Sequence, residues 1–276
     1  MSQGTLDHNL KEIKGVAKHA LIYGGGIVIS KAVGFVMVPL YTRVLTPADY
    51  GLLELLTRGA EVAAIVLTLG FSTSVLRFYY DFKSEQDRNA VISSALVFSA
   101  LVALVATVPL AAFSEQLSRL FLGTPDHRLF VLLLVFANLF ELTCIVPMAL
   151  LRAREESMLY TAVSISRLVL SLGLNIGLVA VLRLGVLGVL YSGLISGALT
   201  AIWLVALSVR KTGLSFSFAK IKPMLIYGLP LVPATLGMFI LHSADRFFLS
   251  AYAGLDQVGL YALSYRFAMM LPVLIL

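Results

Sequence analysis

The sequence has one cysteine, one tryptophan and few charges, which make up 13% of its 276 residues. Cys144 lies inside an apolar segment, so an intrachain disulfide and a cysteine-rich metal cluster are excluded, and redox chemistry has no support. The loops between apolar segments are short, which leaves no room for a soluble catalytic domain, and none carries paired carboxylates or a metal-ligand motif. No cofactor or metal is implied. Lys11, Lys14 and Lys18 precede the first apolar stretch in the manner of a signal peptide. That stretch is too long for a signal core and lacks an A-x-A cleavage site, so it is expected to be a retained membrane helix. A net charge of +6 with a pI near 9.5 raises the question of nucleic acid, but the basic residues form neither one face nor a tail.

What is abundant is apolar surface. At 59% hydrophobic residues and a mean hydropathy of +0.93, the chain holds more of it than a soluble core of this size can hide, and it reads as a polytopic membrane protein. Spans of roughly bilayer length fall at 19–42, 52–78, 91–113, 128–151, 159–182, 185–208, 224–252 and 259–276. Residues 1–18 form a polar lead-in. The lead-in and the second, fourth and sixth loops carry Lys11, Lys14, Lys18, Lys83, Arg88, Arg152, Arg154, Arg210, Lys211, Lys220 and Lys222, whereas the other side holds only Arg43, Arg119, Arg128 and Arg183. That asymmetry predicts a cytoplasmic N-terminus. Tyr79, Tyr80, Tyr160 and Trp203 fall near the predicted cytoplasmic ends, where amphipathic rings favour the headgroup region.

The chain repeats itself. Leu21-Ile-Tyr-Gly returns as Leu225-Ile-Tyr-Gly at an offset of 204, and Gly51-Leu52 returns as Gly259-Leu260 at an offset of 208, with Arg58 and Arg266 in the same register. Six spans separate the copies, so both enter the membrane from the same side. The repeat is expected to be parallel, about an axis along the membrane normal, with any substrate site between the halves.

Six basic residues lie in or near spans: Lys31, Arg58, Arg77, Arg167, Arg246 and Arg266. An ionised side chain at mid-bilayer costs about 2.5–3.5 kcal/mol on insertion scales, so these residues need a bundle interior, a partner or water. Arg77 is near enough to the edge to snorkel. Lys31 sits about 18 Å from either helix end, beyond the reach of its stem, on a face shared with Gly24 and Gly34. Gly51, Glu54, Arg58, Glu61, Thr68 and Ser72 form a polar stripe on the second helix, where Glu54 and Glu61 are spaced to neutralise Arg58 locally. The matching positions of the second copy are Ala262 and Met269, so Arg266 keeps the cation without those acids, which favours Arg58 and Arg266 facing a shared anion.

Ser164, Arg167, Ser171 and Asn175 make a similar stripe. His242, Asp245 and Arg246 cluster on the seventh span, where Asp245 and Arg246 point about 100° apart and need not pair. His242 is placed either to relay protons or to be a hydrogen-bonded structural histidine. Glu141 is a candidate proton-coupling carboxylate or a partner for Lys31. Pro230 and Pro233 predict a bend in the seventh span, suited to alternating access or to a fixed kink.

Leu21-Ile-Tyr-Gly, the LTPADYGLLEL stretch from Leu45, LGFSTSVLRFYYD from Leu69 and the restart at Leu225 together resemble the polysaccharide-export flippases, the Wzx-type O-antigen and capsule transporters of the MOP (MATE-like) superfamily. The resemblance implies an all-α polytopic bundle: a six-helix N-lobe at 19–208, a cytoplasmic linker at 209–223, and the first two helices of a C-lobe at 224–276. It implies transport, not catalysis, of undecaprenyl-diphosphate-linked oligosaccharide from the cytoplasmic to the periplasmic leaflet of a bacterial inner membrane. A polymerase and glycosyltransferases are the implied partners. Lys31, Arg58, Arg167, Arg246 and Arg266 are then the candidate cationic cavity, and Glu54, Glu61, Glu141, His242 and Asp245 the candidate ion-coupling groups or charge partners. A MATE-like cation-coupled multidrug antiporter is the alternative. Because the family has two full bundles, a C-terminally truncated, non-transporting remnant is also an expectation.

Overall fold

A computed structural model describes residues 37–268, and all regular structure in that range is helical. A helical segment at 37–44 ends just before Thr46, which starts α1 (Pro47–Leu67) with a reciprocal cap. Thr46 Oγ1 accepts from the Asp49 amide at 3.2 Å and Asp49 Oδ2 accepts from the Thr46 amide at 3.0 Å, while Pro47 occupies the first turn, where its missing donor costs nothing. The helices that follow are α2 (Phe71–Asp81), α3 (Glu85–Ala112), α4 (Ser114–Leu122), α5 (Arg128–Ala153), α6 (Ser157–Asn175), α7 (Gly185–Thr212), α8 (Phe218–Gly228), α9 (Leu231–Ala253) and α10 (Leu255–Ala268). A π-helical turn, Ile176–Val181, extends α6.

Among the described residues five helical stretches are long and apolar enough to cross a bilayer, and α8 with α9, bent by 42°, make a sixth. Their outward faces are apolar: Val105, Val108, Val169, Ile202 and Leu241 are each 60% or more exposed. Inside, small polar residues replace bulk. Ser74, Ser93, Ser94 and Ser192 are fully buried, which lets helices approach closely, and Ser94 returns its hydroxyl hydrogen to the Ala90 carbonyl one turn back. Outside apolar and inside partly polar is the arrangement a bilayer solvent selects. The protein is a multi-pass membrane protein.

The basic loops gather at one end. Lys220 pairs with Asp87 at 2.7 Å, Arg154 donates to Asn89 at 2.7 Å, Lys211 pairs with Glu156, and Ser93 and Ser94 receive the backbone amides of Ser215 and Ser217. These bonds tie the 82–89, 153–156 and 211–220 segments to one another.

The elements depart from the sequence expectation in four places. The second span is broken, because Leu69 and Gly70 adopt left-handed backbone (φ 49° and 71°) and start α2 afresh. A Cβ on Gly70 would lie 2.5 Å from the Gly228 carbonyl oxygen, and one on Gly228 would lie 2.3 Å from that of Leu69, so the break is pressed against the end of α8. The expected loop after the third span contains α4, a short amphipathic helix that periodicity at nine residues could not separate from loop. Helix α8 begins inside the expected linker, with Ile221 and Met224 fully buried among Phe71, Val75, Val91, Ile92 and Leu150. Ser74 Oγ lies 3.1 Å from the Met224 carbonyl and reinforces that seat. Tyr79 is buried under the Arg88 guanidinium instead of facing the headgroups, whereas Tyr80 is exposed and donates to the Ala153 carbonyl at 2.8 Å. Arg77, read as a snorkelling residue, lies 4.3 Å above the Tyr227 ring.

Candidate functional site

The two copies of the repeat meet directly. Helices α1 and α10 cross where Gly51 faces Gly259, so closely that a Cβ on Gly51 would lie 2.0 Å from the Leu255 carbonyl oxygen and one on Gly259 would lie 2.0 Å from that of Pro47. Each glycine meets the residue four positions before the other. The contact is therefore reciprocal, as a two-fold axis between the helices requires. Glycine at both positions is what allows backbone to touch backbone.

One turn beyond the crossing lies a chain of charges. Glu54, 5% exposed, accepts on Oε1 from Arg58 Nε at 2.9 Å and from Arg246 Nε at 3.0 Å, so α1 is joined to α9 through one carboxylate oxygen. Arg58 also pairs with Glu61 at 2.7 Å. Arg246 is 1% exposed; its Nη1 donates to Asp245 Oδ1 at 2.7 Å and to the His242 carbonyl, and its guanidinium stacks 4.4 Å from the Tyr265 ring. Asp245 in turn accepts from the Tyr261 hydroxyl of α10. The neighbouring Asp245 and Arg246 do pair, because the long arginine side chain folds back along its own helix. Two guanidiniums and three carboxylates make up this chain, and each contacts an opposite charge.

Beside the chain of charges lies a cavity of about 260 Å³ between α1, α6, α7, the 37–44 segment and α10. Tyr41, Tyr50, Glu54, Thr57, Ser171, Asn175 and Arg266 supply its polar lining. Asn175 sits immediately before the π-turn, a deformation frequent at functional sites, and uses its whole amide: Oδ1 accepts from the Tyr41 hydroxyl at 2.9 Å, and Nδ2 donates to the Ser171 carbonyl at 2.8 Å and to Ser192 Oγ at 2.6 Å. Arg266 has no ion pair among the described residues; its guanidinium lies 5.1 Å from the Tyr50 ring centre. A second cavity, about 440 Å³ and almost wholly apolar, lies between α1, α3, α4 and α5.

The candidate residues thus separate. Arg266 and Glu54 line the polar cavity, whereas Arg58, Arg246, Glu61 and Asp245 are absorbed in ion pairs beside it. Arg58 and Arg266 do not share one face of that cavity: Arg58 turns to its own helix's acids, the local neutralisation that its spacing allows. Arg167 stands apart from them, held by both oxygens of Glu141 across α5 and α6. This supplies the partner for Glu141 within the described residues, and Lys31 lies outside them. His242 is exposed, and its carbonyl rather than its imidazole meets Arg246. Tyr41 and Tyr50 were missed in the sequence; the signal available was that both flank the capped turn beside the repeated glycine.

The pair between Arg167 and Glu141 is half exposed and its coupling is modest. A double-mutant cycle with Arg167→Gln and Glu141→Gln is expected to give about 0.5–1 kcal/mol, read from unfolding in detergent.

The sequence profile of the polysaccharide biosynthesis protein family matches residues 16–276. The chain belongs to this family. No curated protein matches it significantly. The fold of this polysaccharide biosynthesis family member is similar to that of an outward-facing MATE-family multidrug resistance transporter of the MOP superfamily, at a TM-score of 0.73 and 19% identity, covering 95% of this chain and 61% of that one. It is similar also to the MATE multidrug transporter DinF-BH (TM-score 0.70, 16% identity, 96% and 62% covered). A third likeness is to a Pyrococcus furiosus MOP-superfamily transporter described as having a binding pocket of reverse polarity (TM-score 0.72, 19% identity, 95% and 61% covered). At such identities the likeness carries the fold: an all-α, MOP-type transmembrane bundle. The chain spans about three fifths of the length of these structures.

Proposed function

We propose that this protein serves as a flippase for undecaprenyl-diphosphate-linked oligosaccharide, moving it from the cytoplasmic to the periplasmic leaflet of a bacterial inner membrane by alternating access. The match to a polysaccharide biosynthesis family over residues 16–276 carries the reading. Supporting it, the cavity between the repeat-related helices presents an arginine without an acidic partner among the described residues, a donor free to meet the head of a lipid-linked oligosaccharide. The clustered basic loops support a cytoplasmic placement of that end, and with it a cytoplasmic N-terminus. A polymerase and glycosyltransferases are the partners that such a substrate requires.

Arg266→Glu at the chromosomal locus is expected to reduce surface polysaccharide at least about tenfold, the scale of one lost hydrogen bond to a charged group, with membrane insertion unchanged. Normal surface polysaccharide in that strain would sink the reading. The second reading is a cation-coupled multidrug antiporter, favoured by solved neighbours described as multidrug transporters and by the acids Glu54 and Asp245. Those acids are held by arginine, which leaves little net negative charge to attract an organic cation. Cation-gradient-dependent drug efflux from proteoliposomes would decide for it.

A further inference from the structure

The groups left free in the polar cavity do not match a diphosphate. A phosphate offers acceptors alone, so a site built for it presents donors and excess positive charge. Among the described residues Arg58, Arg246 and Arg266 are offset by Glu54, Glu61 and Asp245, and no excess of charge remains in the seam. Glu54 itself lines the cavity; both arginines hold its Oε1, and Oε2 has no hydrogen-bond partner among the described residues. An anion entering there meets a carboxylate oxygen.

Among the described residues three free functions remain on the wall. Arg266 donates, Glu54 Oε2 accepts, and the Tyr50 hydroxyl can do both. Tyr50 is 6% exposed, its hydroxyl is buried with no hydrogen-bond partner among the described residues, and it lines the cavity. A buried, unsatisfied hydroxyl costs about 1–3 kcal/mol, which a ligand hydroxyl would recover. The rings of Tyr41 and Tyr50 stand edge to face at 6.5 Å and add an aromatic wall. Mixed donors and acceptors beside aromatic carbon fit a ring that carries hydroxyls on its edge and C–H groups on its face. The volume of about 260 Å³ suits a single ring, being below the ~300–1,000 Å³ of drug-sized sites.

We propose that the cavity between Tyr50, Glu54 and Arg266 receives one uncharged sugar ring, and that the diphosphate of the same substrate is held elsewhere. This rests on the flippase reading for its substrate and goes beyond it in dividing sugar from phosphate. Asn175 has its amide fully committed and acts as a positioning residue, holding Tyr41 in the wall.

The test uses the full chain in lipid nanodiscs, with methyl α-glucopyranoside, N-acetylglucosamine, glucuronate and inorganic pyrophosphate as probes, read by saturation-transfer NMR. Transfer to an uncharged sugar is expected, falling at least about fivefold in Tyr50→Phe, which removes one hydroxyl contact and keeps the ring. An unchanged thermal melt of Tyr50→Phe shows that the fold survives. Pyrophosphate at equal concentration should not displace the sugar. The proposal is overturned if neither uncharged sugar receives saturation, if Tyr50→Phe binds as the parent does, if glucuronate outcompetes the uncharged sugars, or if pyrophosphate displaces them. Export in the Arg266→Glu strain reports on the flippase reading separately. Lost export with pyrophosphate displacing sugar sinks only the subsite, and normal export with sugar bound sinks only the flippase.

Discussion

Gly51→Val is expected to lower stability by about 3 kcal/mol or more and to part the two repeated helices. Overpacking in general costs about 1–3 kcal/mol because neighbouring side chains can turn aside. Here the obstacle is backbone: the new Cβ would lie 2.0 Å from the Leu255 carbonyl oxygen and 3.0 Å from the Gly259 nitrogen, neither of which has a rotamer to change. One helix must therefore move. The reciprocity of the contact yields a sharper expectation, since Gly259→Val meets the Pro47 carbonyl at the same 2.0 Å and should cost about as much. The two should not add, because helices already parted by one substitution have room for the other. Gly237→Ala is the control. Nothing lies within 4 Å of a Cβ there, so the variant should be neutral or gain up to about 1 kcal/mol from helix propensity. Thermal unfolding in detergent measures all four variants. A Gly51→Val protein that melts with the parent would show that α1 and α10 do not cross in contact.

Much of this architecture was legible in the sequence because a bilayer imposes simple rules. Span lengths, the alternation of basic loops and the offset of 208 between Gly51 and Gly259 come from hydropathy and self-comparison alone. The spacing of Glu54 and Glu61 around Arg58 offers their pairing, since residues three and four apart on a helix are neighbours, although the second copy's Arg266 without those acids favours a shared anion instead. What stayed hidden depends on which helix lies against which. Arg246 and Glu54 are 192 positions apart, and no periodicity links them. Arg167 reads in the sequence as a cavity cation and Glu141 as a coupling carboxylate or a partner for Lys31, and only the placement of α5 beside α6 joins the two. Local breaks were hidden for a different reason. The left-handed pair Leu69 and Gly70 interrupts a run that is apolar on both sides, and hydropathy averages across it. The first half of α8, 218–223, falls in the expected linker, where Lys220 and Lys222 count as loop charges, although Ile221 between them is fully buried.

Glu54→Ala is expected to be among the most damaging single substitutions in the chain, at about 3–5 kcal/mol, the cost of removing one partner from a buried ion pair. The carboxylate serves two guanidiniums through one oxygen, and they differ in what they can do once it is gone. Arg58 is 28% exposed and keeps Glu61, so it can turn outward. Arg246 is 1% exposed and enclosed by the Tyr261 and Tyr265 rings, so it stays buried with only Asp245 and the His242 carbonyl. The damage should therefore travel through Arg246. Glu61→Ala, which removes a 44% exposed partner, is expected to cost about 0.5 kcal/mol. Replacing both ends, Glu54→Leu with Arg246→Met, should recover most of the loss, because apolar residues of similar size avoid burying a lone charge. Arg58→Met combined with Glu54→Leu should not recover it, since Arg246 is still left without its acid. Urea unfolding of the four variants separates these expectations. If the Arg58 pairing rescues stability and the Arg246 pairing does not, the junction between α1 and α9 is not what Glu54 holds together.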